Sequence, residues 1–386
     1  MEKKVVLILV RYYLPGSKSG GPGRSLANLI NSLGDEFDFK VITSDRDWLD
    51  DSSYKEVEID AWNQIGKAQV YYLSYKGRSL FALSKLLNQV THDVMYLNSF
   101  FSYDFSVKPL LLRFLRRIPE RPVILAARGE LSQGALAIKY FKKNAFIYLA
   151  RLSPLYRNIL WQASSVREAG DIHKVIGAEE KVSISLNIPT PMGGDIKSGH
   201  SFKEKGRLKI IFLSRVSRKK NLDGALNILK DIKGDIEFDI YGPLEDKTYW
   251  VDCQKLMQKL PSNILVSYKG SVSYDKVSDI FENYHLFFLP THGENFGHVI
   301  LESLSSGCPV LISDQTPWRD LENYGCGWAL PLNAPEAFKE VITRCVYMDY
   351  FEHTQLVKKA YQFSEKVRKD EKIVLQNREI FLKALI

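Results

Sequence analysis

The chain has 386 residues, 45% of them hydrophobic and 25% charged, which is enough for two domains with ample cores and excludes a small module. Lys and Arg number 53 against 45 Asp and Glu, and the net charge of +8 favours an anionic partner without choosing among a nucleotide diphosphate, lipid phosphate, a membrane surface or nucleic acid. No segment approaches the length of a transmembrane helix, and Cys253, Cys308, Cys326 and Cys345 show neither metal-ligand spacing nor a disulfide framework, so reduced thiols in a cytosolic protein are expected.

Residues 5–10 form the first predicted strand: the apolar run after Met1-Glu2-Lys3-Lys4 is too short for a signal peptide and stops at Arg11. Gly20-Gly21-Pro22-Gly23-Arg24-Ser25 follows, and two adjacent glycines ahead of a helix let the backbone come close to a ligand. Arg24 can reach an acceptor phosphate or form a surface salt bridge. Apolar runs at 37–43, 70–74, 93–98 and 122–127, with amphipathic stretches between them, predict a parallel, doubly wound sheet. The last run leads into Arg128-Gly129-Glu130-Leu131-Ser132, where Arg128 and Glu130 either serve the acceptor side or brace the loop as a pair. Arg113-Phe114-Leu115-Arg116-Arg117 and Lys139-Tyr140-Phe141-Lys142-Lys143, the latter followed by Phe146, Ile147, Tyr148 and Leu149, mix basic and aromatic residues on helical stretches. That composition suits either an anionic membrane surface or an ordinary amphipathic helix with a buried aromatic stripe.

Periodicity is lost over 187–206, which collects Pro, Gly, Ser and charge; a linker is assigned to 191–206, after a first domain of 1–190. Alternation restarts with predicted strands at 208–214, 236–241, 264–268, 285–289 and 309–313, giving a second Rossmann-like domain over 207–365. Its first strand runs into Ser214-Arg215-Val216-Ser217-Arg218-Lys219-Lys220-Asn221, a cationic loop that opens a helix near Leu222. Such a loop at the carboxyl edge of an open sheet is either a phosphate site or a solvated basic turn. In the first case Arg215 forks onto two phosphate oxygens and Lys220 adds a point charge.

The densest pattern lies at 289–318, LPTHGENFGHVILESLSSGCPVLISDQTPW. Pro290 closes a strand, Gly297 lets the backbone approach a ligand, 298–306 reads as a helix, and Gly307 stands where a helix-ending glycine belongs. Free N–H groups of the first turn face an anion site. Glu294 precedes that turn, while Glu302 lies within the helix on the same face as His298.

With Pro290, Glu294-Asn295-Phe296-Gly297, Glu302 and Gly307-Cys308-Pro309-Val310 in this order, the segment resembles the donor-binding signature of retaining glycosyltransferases of family four, glycosyl transferases group 1. The resemblance implies an α/β GT-B fold: two Rossmann-like doubly wound domains facing each other across a cleft, with the last helix, 366–386, crossing back to the first domain. It implies a catalytic set of Glu294, Arg215 and Lys220, in which the two cations hold the donor diphosphate and Glu294 a donor-sugar hydroxyl. Glu302 would accept ribose hydroxyls, the amides of Asn295, Phe296 and Gly297 would face phosphate or sugar, and Gly20 and Gly21 would lie near the diphosphate. Arg24, Arg128 and Glu130 are the acceptor-side candidates. Many members of this family carry a histidine in the loop that here holds Arg128, and this chain has none there, so that role is left unassigned. His292, His298 and Trp318 flank the motif without an assigned step. Asp45-Arg46-Asp47 has the Asp-x-Asp form of the manganese site of the other large glycosyltransferase class, but the cations already assigned to the diphosphate make these loop or acceptor-side residues.

The implied reaction moves a sugar from a nucleotide-sugar donor to a glycan or polyprenyl-diphosphate-linked acceptor with retention, without metal or other cofactor, on the inner face of the plasma membrane. Lipopolysaccharide, O-antigen or capsule synthesis is the expected setting. Two other readings stand beside it: a nucleotide-sugar epimerase of the same fold, which needs no acceptor, and a basic nucleic-acid-binding protein, although no RNA or DNA motif is present. A dinucleotide dehydrogenase fits less well, because no G-x-G-x-x-G follows the first strand.

Overall fold

In the computed structural model, which describes residues 2–386 except 17, 19, 49, 138, 178–180 and 191–200, the alternating pattern builds two sheets, one in each of two units. Unit 1 comprises Met1–Thr190 and Asp370–Ile386, and unit 2 comprises Pro191–Lys369. Most of the expected linker, 191–200, lies outside the described residues. Residues 201–206 are tied to unit 2, where the buried Lys203 ammonium donates to the carbonyls of Glu204, Val346 and Met348 at 2.7, 3.0 and 3.1 Å.

Unit 1 contains β1 (Lys4–Val10), β2 (Phe37–Ser44), β3 (Trp62–Ile65), β4 (Ala68–Leu73), β5 (Val94–Asn98), β6 (Val123–Ala126), β7 (Ile159–Ala163) and β8 (Val182–Ile184). Their order is β3-β4-β2-β1-β5-β6-β7-β8, parallel throughout except for the antiparallel edge pair β3–β4. Val6 to Leu9 of β1 are completely buried, as expected of a central parallel strand covered on both faces. Three strands escape the periodicity. β3 is an edge strand with a half-exposed, polar-centred sequence, and β8 is only three residues long. β7 carries Gln162 within its apolar run, satisfied by Ser185 and Tyr96.

The helix Glu371–Ala384 covers one face of this sheet. Phe381 is fully buried and sets its ring against Phe37, Phe39 and Tyr96 at 5.4, 6.0 and 5.6 Å, while Asn377 donates to the Leu186 carbonyl at 2.7 Å. The preceding helix, Tyr350–Arg368, belongs to unit 2.

Unit 2 contains β9 (Arg207–Leu213), β10 (Asp235–Tyr241), β11 (Ile264–Gly270), β12 (Leu286–Leu289), β13 (Val310–Ser313) and β14 (Gly327–Leu330), all parallel, in the order β11-β10-β9-β12-β13-β14. β14 is the strand that sequence periodicity misses, four residues opening on Gly327. Both sheets reverse direction of winding once, unit 1 between β1 and β5 and unit 2 between β9 and β12. In open α/β sheets, the carboxyl ends of the strands at such a reversal form a natural ligand crevice.

Candidate functional site

At the reversal in unit 2 the chain leaves β9 through the cationic loop and leaves β12 through the loop that carries Glu294. Gly242, at the end of β10, allows the first loop its path: a Cβ there would stand 2.0 Å from the Ser214 carbonyl oxygen, and its φ of +133° excludes most side chains. Residues Arg218–Lys220 form a single 3-10 turn, and the helix Leu222–Leu229 follows Asn221.

Backbone and side-chain bonds join the two loops. The Lys219 carbonyl accepts from His292 N at 2.8 Å and Thr291 Oγ1 at 3.0 Å, and Asn221 Nδ2 donates to the Pro290 carbonyl at 2.8 Å. The Glu294 amide donates to the Gln315 carbonyl at 3.1 Å, which ties the loop to the segment after β13. This framework brings Lys220 Nζ onto Glu294 Oε1 in an ion pair whose side chains are only 10% and 12% exposed. Two candidates 74 residues apart in sequence thus share one interaction.

Arg215 lies nearer solvent, paired with Glu245 at 3.1 Å. Both side chains are partly exposed, so the pair is of the kind that contributes little to stability. Gly297, with φ of +76°, turns the chain into the helix His298–Ser305, which has no side-chain cap bond at its N-terminus. Its first-turn N–H groups therefore give the loop an electropositive end. The Phe296 ring is buried against Trp318 at 5.3 Å and His298 at 4.7 Å, and Trp318 donates its indole N–H to the Phe296 carbonyl. Trp318, without an assigned role in the sequence, proves to be the brace of this loop.

Glu302 lies one helical turn beyond His298, half-buried. Arg368, at the end of the helix Tyr350–Arg368, donates to Ser305 Oγ, and its charge senses Tyr274, Glu365 and Glu302. Burial lowers its pKa, while those neighbours favour its charged form. Sequence reasoning missed Arg368 because 66 positions separate it from Glu302 in an unremarkable basic helix end.

The reversal in unit 1 holds a concavity of about 340 Å³, lined among others by Arg11, Gly23, Asn98, Ser99, Arg128 and Glu130. The glycine loop and the loop after β6 therefore meet at one place. Gly20, with φ of +83°, and Gly21 stand at the start of the helix Gly21–Leu33, which also carries Arg24. Arg128 donates to Asn98 Oδ1 at 2.7 Å, Asn187 Oδ1 at 2.8 Å and Tyr96 OH at 2.8 Å. Glu130 accepts from Ser99 Oγ at 2.7 Å and from the Phe100 and Phe101 amides at 2.7 and 3.1 Å. Each side chain braces the pocket wall through its own partners. Burial raises the Glu130 pKa against the opposing effect of those hydrogen bonds. Asp45 is buried and paired with Arg46 and Arg78, and Asp47 accepts from the Lys18 and Trp48 amides at 2.8 and 2.7 Å.

Residues 195–370 match the family model described as Glycosyl transferases group 1. Over 196 residues the chain is 22% identical to the UDP-N-acetylglucosamine--peptide N-acetylglucosaminyltransferase GtfA subunit of Streptococcus agalactiae, covering 47% of this chain and 37% of that protein. The chain thus spans little more than a third of that relative. Sucrose-phosphate synthase of Thermosynechococcus elongatus superposes with a TM-score of 0.72 at 13% identity, over 99% of both chains. Anabaena HepE, in complex with UDP and glucose, superposes with a TM-score of 0.69 at 15% identity, over 98% of this chain and 99% of that one. These likenesses establish the fold, two parallel-sheet Rossmann-like domains as in GT-B glycosyltransferases.

Proposed function

We propose that this chain, with its glycosyl transferases group 1 domain on a GT-B fold, transfers a sugar from a nucleotide-sugar donor to a glycan or lipid-linked acceptor. The observation that carries the reading is the meeting of Lys220 and Glu294 at the strand reversal of unit 2, beside Arg215 and an uncapped helix N-terminus. Departure of a nucleoside diphosphate concentrates negative charge on its phosphates. Cations and backbone N–H groups already fixed in place stabilise that charge without reorganising.

In this reading Arg215 and Lys220 hold the diphosphate, and the amides of Asn295, Phe296 and Gly297 complete its surroundings. Glu294 orients Lys220 and accepts a donor-sugar hydroxyl, and Glu302 accepts the ribose hydroxyls. The carboxylates thus act as clamps rather than as the acid and nucleophile of a glycosidase. The acceptor hydroxyl attacks from the face the diphosphate leaves, which retains configuration, and a donor phosphate oxygen takes its proton; no metal enters the scheme. The unit 1 pocket, with Arg128 and Glu130 in its wall, suits the acceptor, and the sequence resemblance supports one belonging to lipopolysaccharide, O-antigen or capsule.

The test is a thermal-shift and turnover screen of UDP-, GDP- and ADP-sugars, followed by NMR of the product anomer. For the sugar that binds, Glu302→Ala is expected to weaken affinity about 10- to 100-fold, the range for losing hydrogen bonds to a charged group. It should weaken the free nucleoside diphosphate equally, because the ribose is common to both. An unchanged affinity for both ligands would remove Glu302 from the site.

A further inference from the structure

The helix Tyr140–Leu152 of unit 1 is apolar on two sides. Ile147 and Ala150 of its inner side are buried, and the Phe146 ring lies 5.3 and 5.4 Å from those of Phe100 and Phe101. The outer side is exposed: Phe141 is 86% accessible, Tyr148 66%, Leu149 65% and Leu152 64%. At about 100° per residue, these four and Ala145 fall in one stripe roughly 100° wide. Lys142 runs along one border of it and Arg151 along the other. Single exposed apolar residues are ordinary, whereas a contiguous aromatic and aliphatic stripe marks a contact surface.

Charge identifies the partner. Residues 131–167 contain six Lys or Arg and no Asp or Glu, although the whole chain has 45 acids. Lys143 is drawn inward, donating to the Ala135 carbonyl at 2.6 Å and lying over the Phe101 ring, while Lys139, Lys142, Arg151 and Arg157 remain exposed. A second copy packed on this stripe would bring like charges together. The turn Pro154–Tyr156 that follows also packs on the helix Lys108–Phe114, where Phe114 and Leu115 are exposed beside Arg116 and Arg117. The same pairing of apolar and cationic side chains therefore recurs on the neighbouring helix end. The stripe is the exposed outer side of one helix with cations at its edges, which fits a planar anionic layer.

We propose that the outer face of the helix Tyr140–Leu152 seats unit 1 on an anionic lipid bilayer. Its stripe enters the interfacial layer, and Lys142 and Arg151 extend along their stems to lipid phosphates. Among the described residues no helix is long and apolar enough to cross a membrane. The inference is independent of the sugar-transfer reading, since vesicle binding requires no donor.

The test is cosedimentation of the full chain with vesicles of phosphatidylcholine containing one-quarter phosphatidylglycerol, against vesicles of phosphatidylcholine alone. Binding is expected to the mixed vesicles and to fall with added salt. A cation near an anionic surface contributes about fivefold to partitioning, so Lys142→Glu with Arg151→Glu should reduce it at least about 10-fold. Phe141→Ser with Leu149→Ser should reduce it at least about 10-fold as well, through lost apolar burial. Both variants should keep the thermal midpoint of the parent, because the altered side chains are exposed. Failure of the parent to bind the mixed vesicles, or equal binding by parent and both folded variants, overturns the proposal. So does a dimer in light scattering that Phe141→Ser dissociates, which would assign the stripe to a second copy.

Discussion

Lys220→Met is expected to lower turnover about 10²- to 10³-fold, the range for removing one preorganised group that faces charge developing in a transition state. The Lys220 ammonium lies on Glu294, in a site where water reaches little of either side chain. Charge there is poorly screened, so its loss is felt strongly. Methionine keeps most of the stem volume and removes only the charge. It leaves Glu294 without that partner, so the thermal midpoint and donor affinity must be measured beside the rate. Glu294→Gln is expected to lower turnover less, about 10- to 100-fold, because the amide still accepts from Lys220 and a sugar hydroxyl. Losses in the double variant should fall short of their product, as befits two groups that act through one interaction. A folded Lys220→Met protein turning over within about threefold of the parent would remove Lys220 from the chemistry.

Phe381→Ala is expected to destabilise unit 1 by about 3–5 kcal/mol, the usual cost of truncating a fully buried phenylalanine. The ring sits five residues from the chain end, yet it touches side chains from β2 and β5 and closes one of the two cores of the sheet. We propose that the return of the last helix is a condition for unit 1 to be folded, rather than an appended tail. For a unit of this size the predicted loss lowers the thermal midpoint by about 10 °C. Chemical denaturation of the variant against the parent measures it. A change below about 1 kcal/mol would mean that the helix contributes little to the fold.

The unit that carries Glu294 and Glu302 was legible because its geometry is local. From β12 through the helix His298–Ser305 to β13, strand, glycine turn, helix and strand follow within thirty residues, each set by its own apolar spacing and by Gly297 and Gly307. The pairing of Lys220 with Glu294 was not legible, since it depends on β9 and β12 lying side by side, a choice of sheet order that no local pattern encodes. Arg368 was hidden for the same reason. In unit 1 the sequence isolated Arg128 and Glu130 but left open whether they brace the loop as a pair, and the folded chain gives each its own set of partners. The missed strands share a different cause. β3, β8 and β14 are too short or too exposed to carry a period, and the polar Gln162 interrupts β7.

Binding of the nucleotide-sugar by unit 2 at its strand reversal is tested most directly by hydrogen–deuterium exchange with and without the donor selected by the screen. Protection is predicted in the loops at 214–221 and 291–297 and in the first turn of the helix His298–Ser305, with β11 and β14 unchanged. Bound donor that protects neither loop, or that protects only segments away from the β9–β12 reversal, would contradict it.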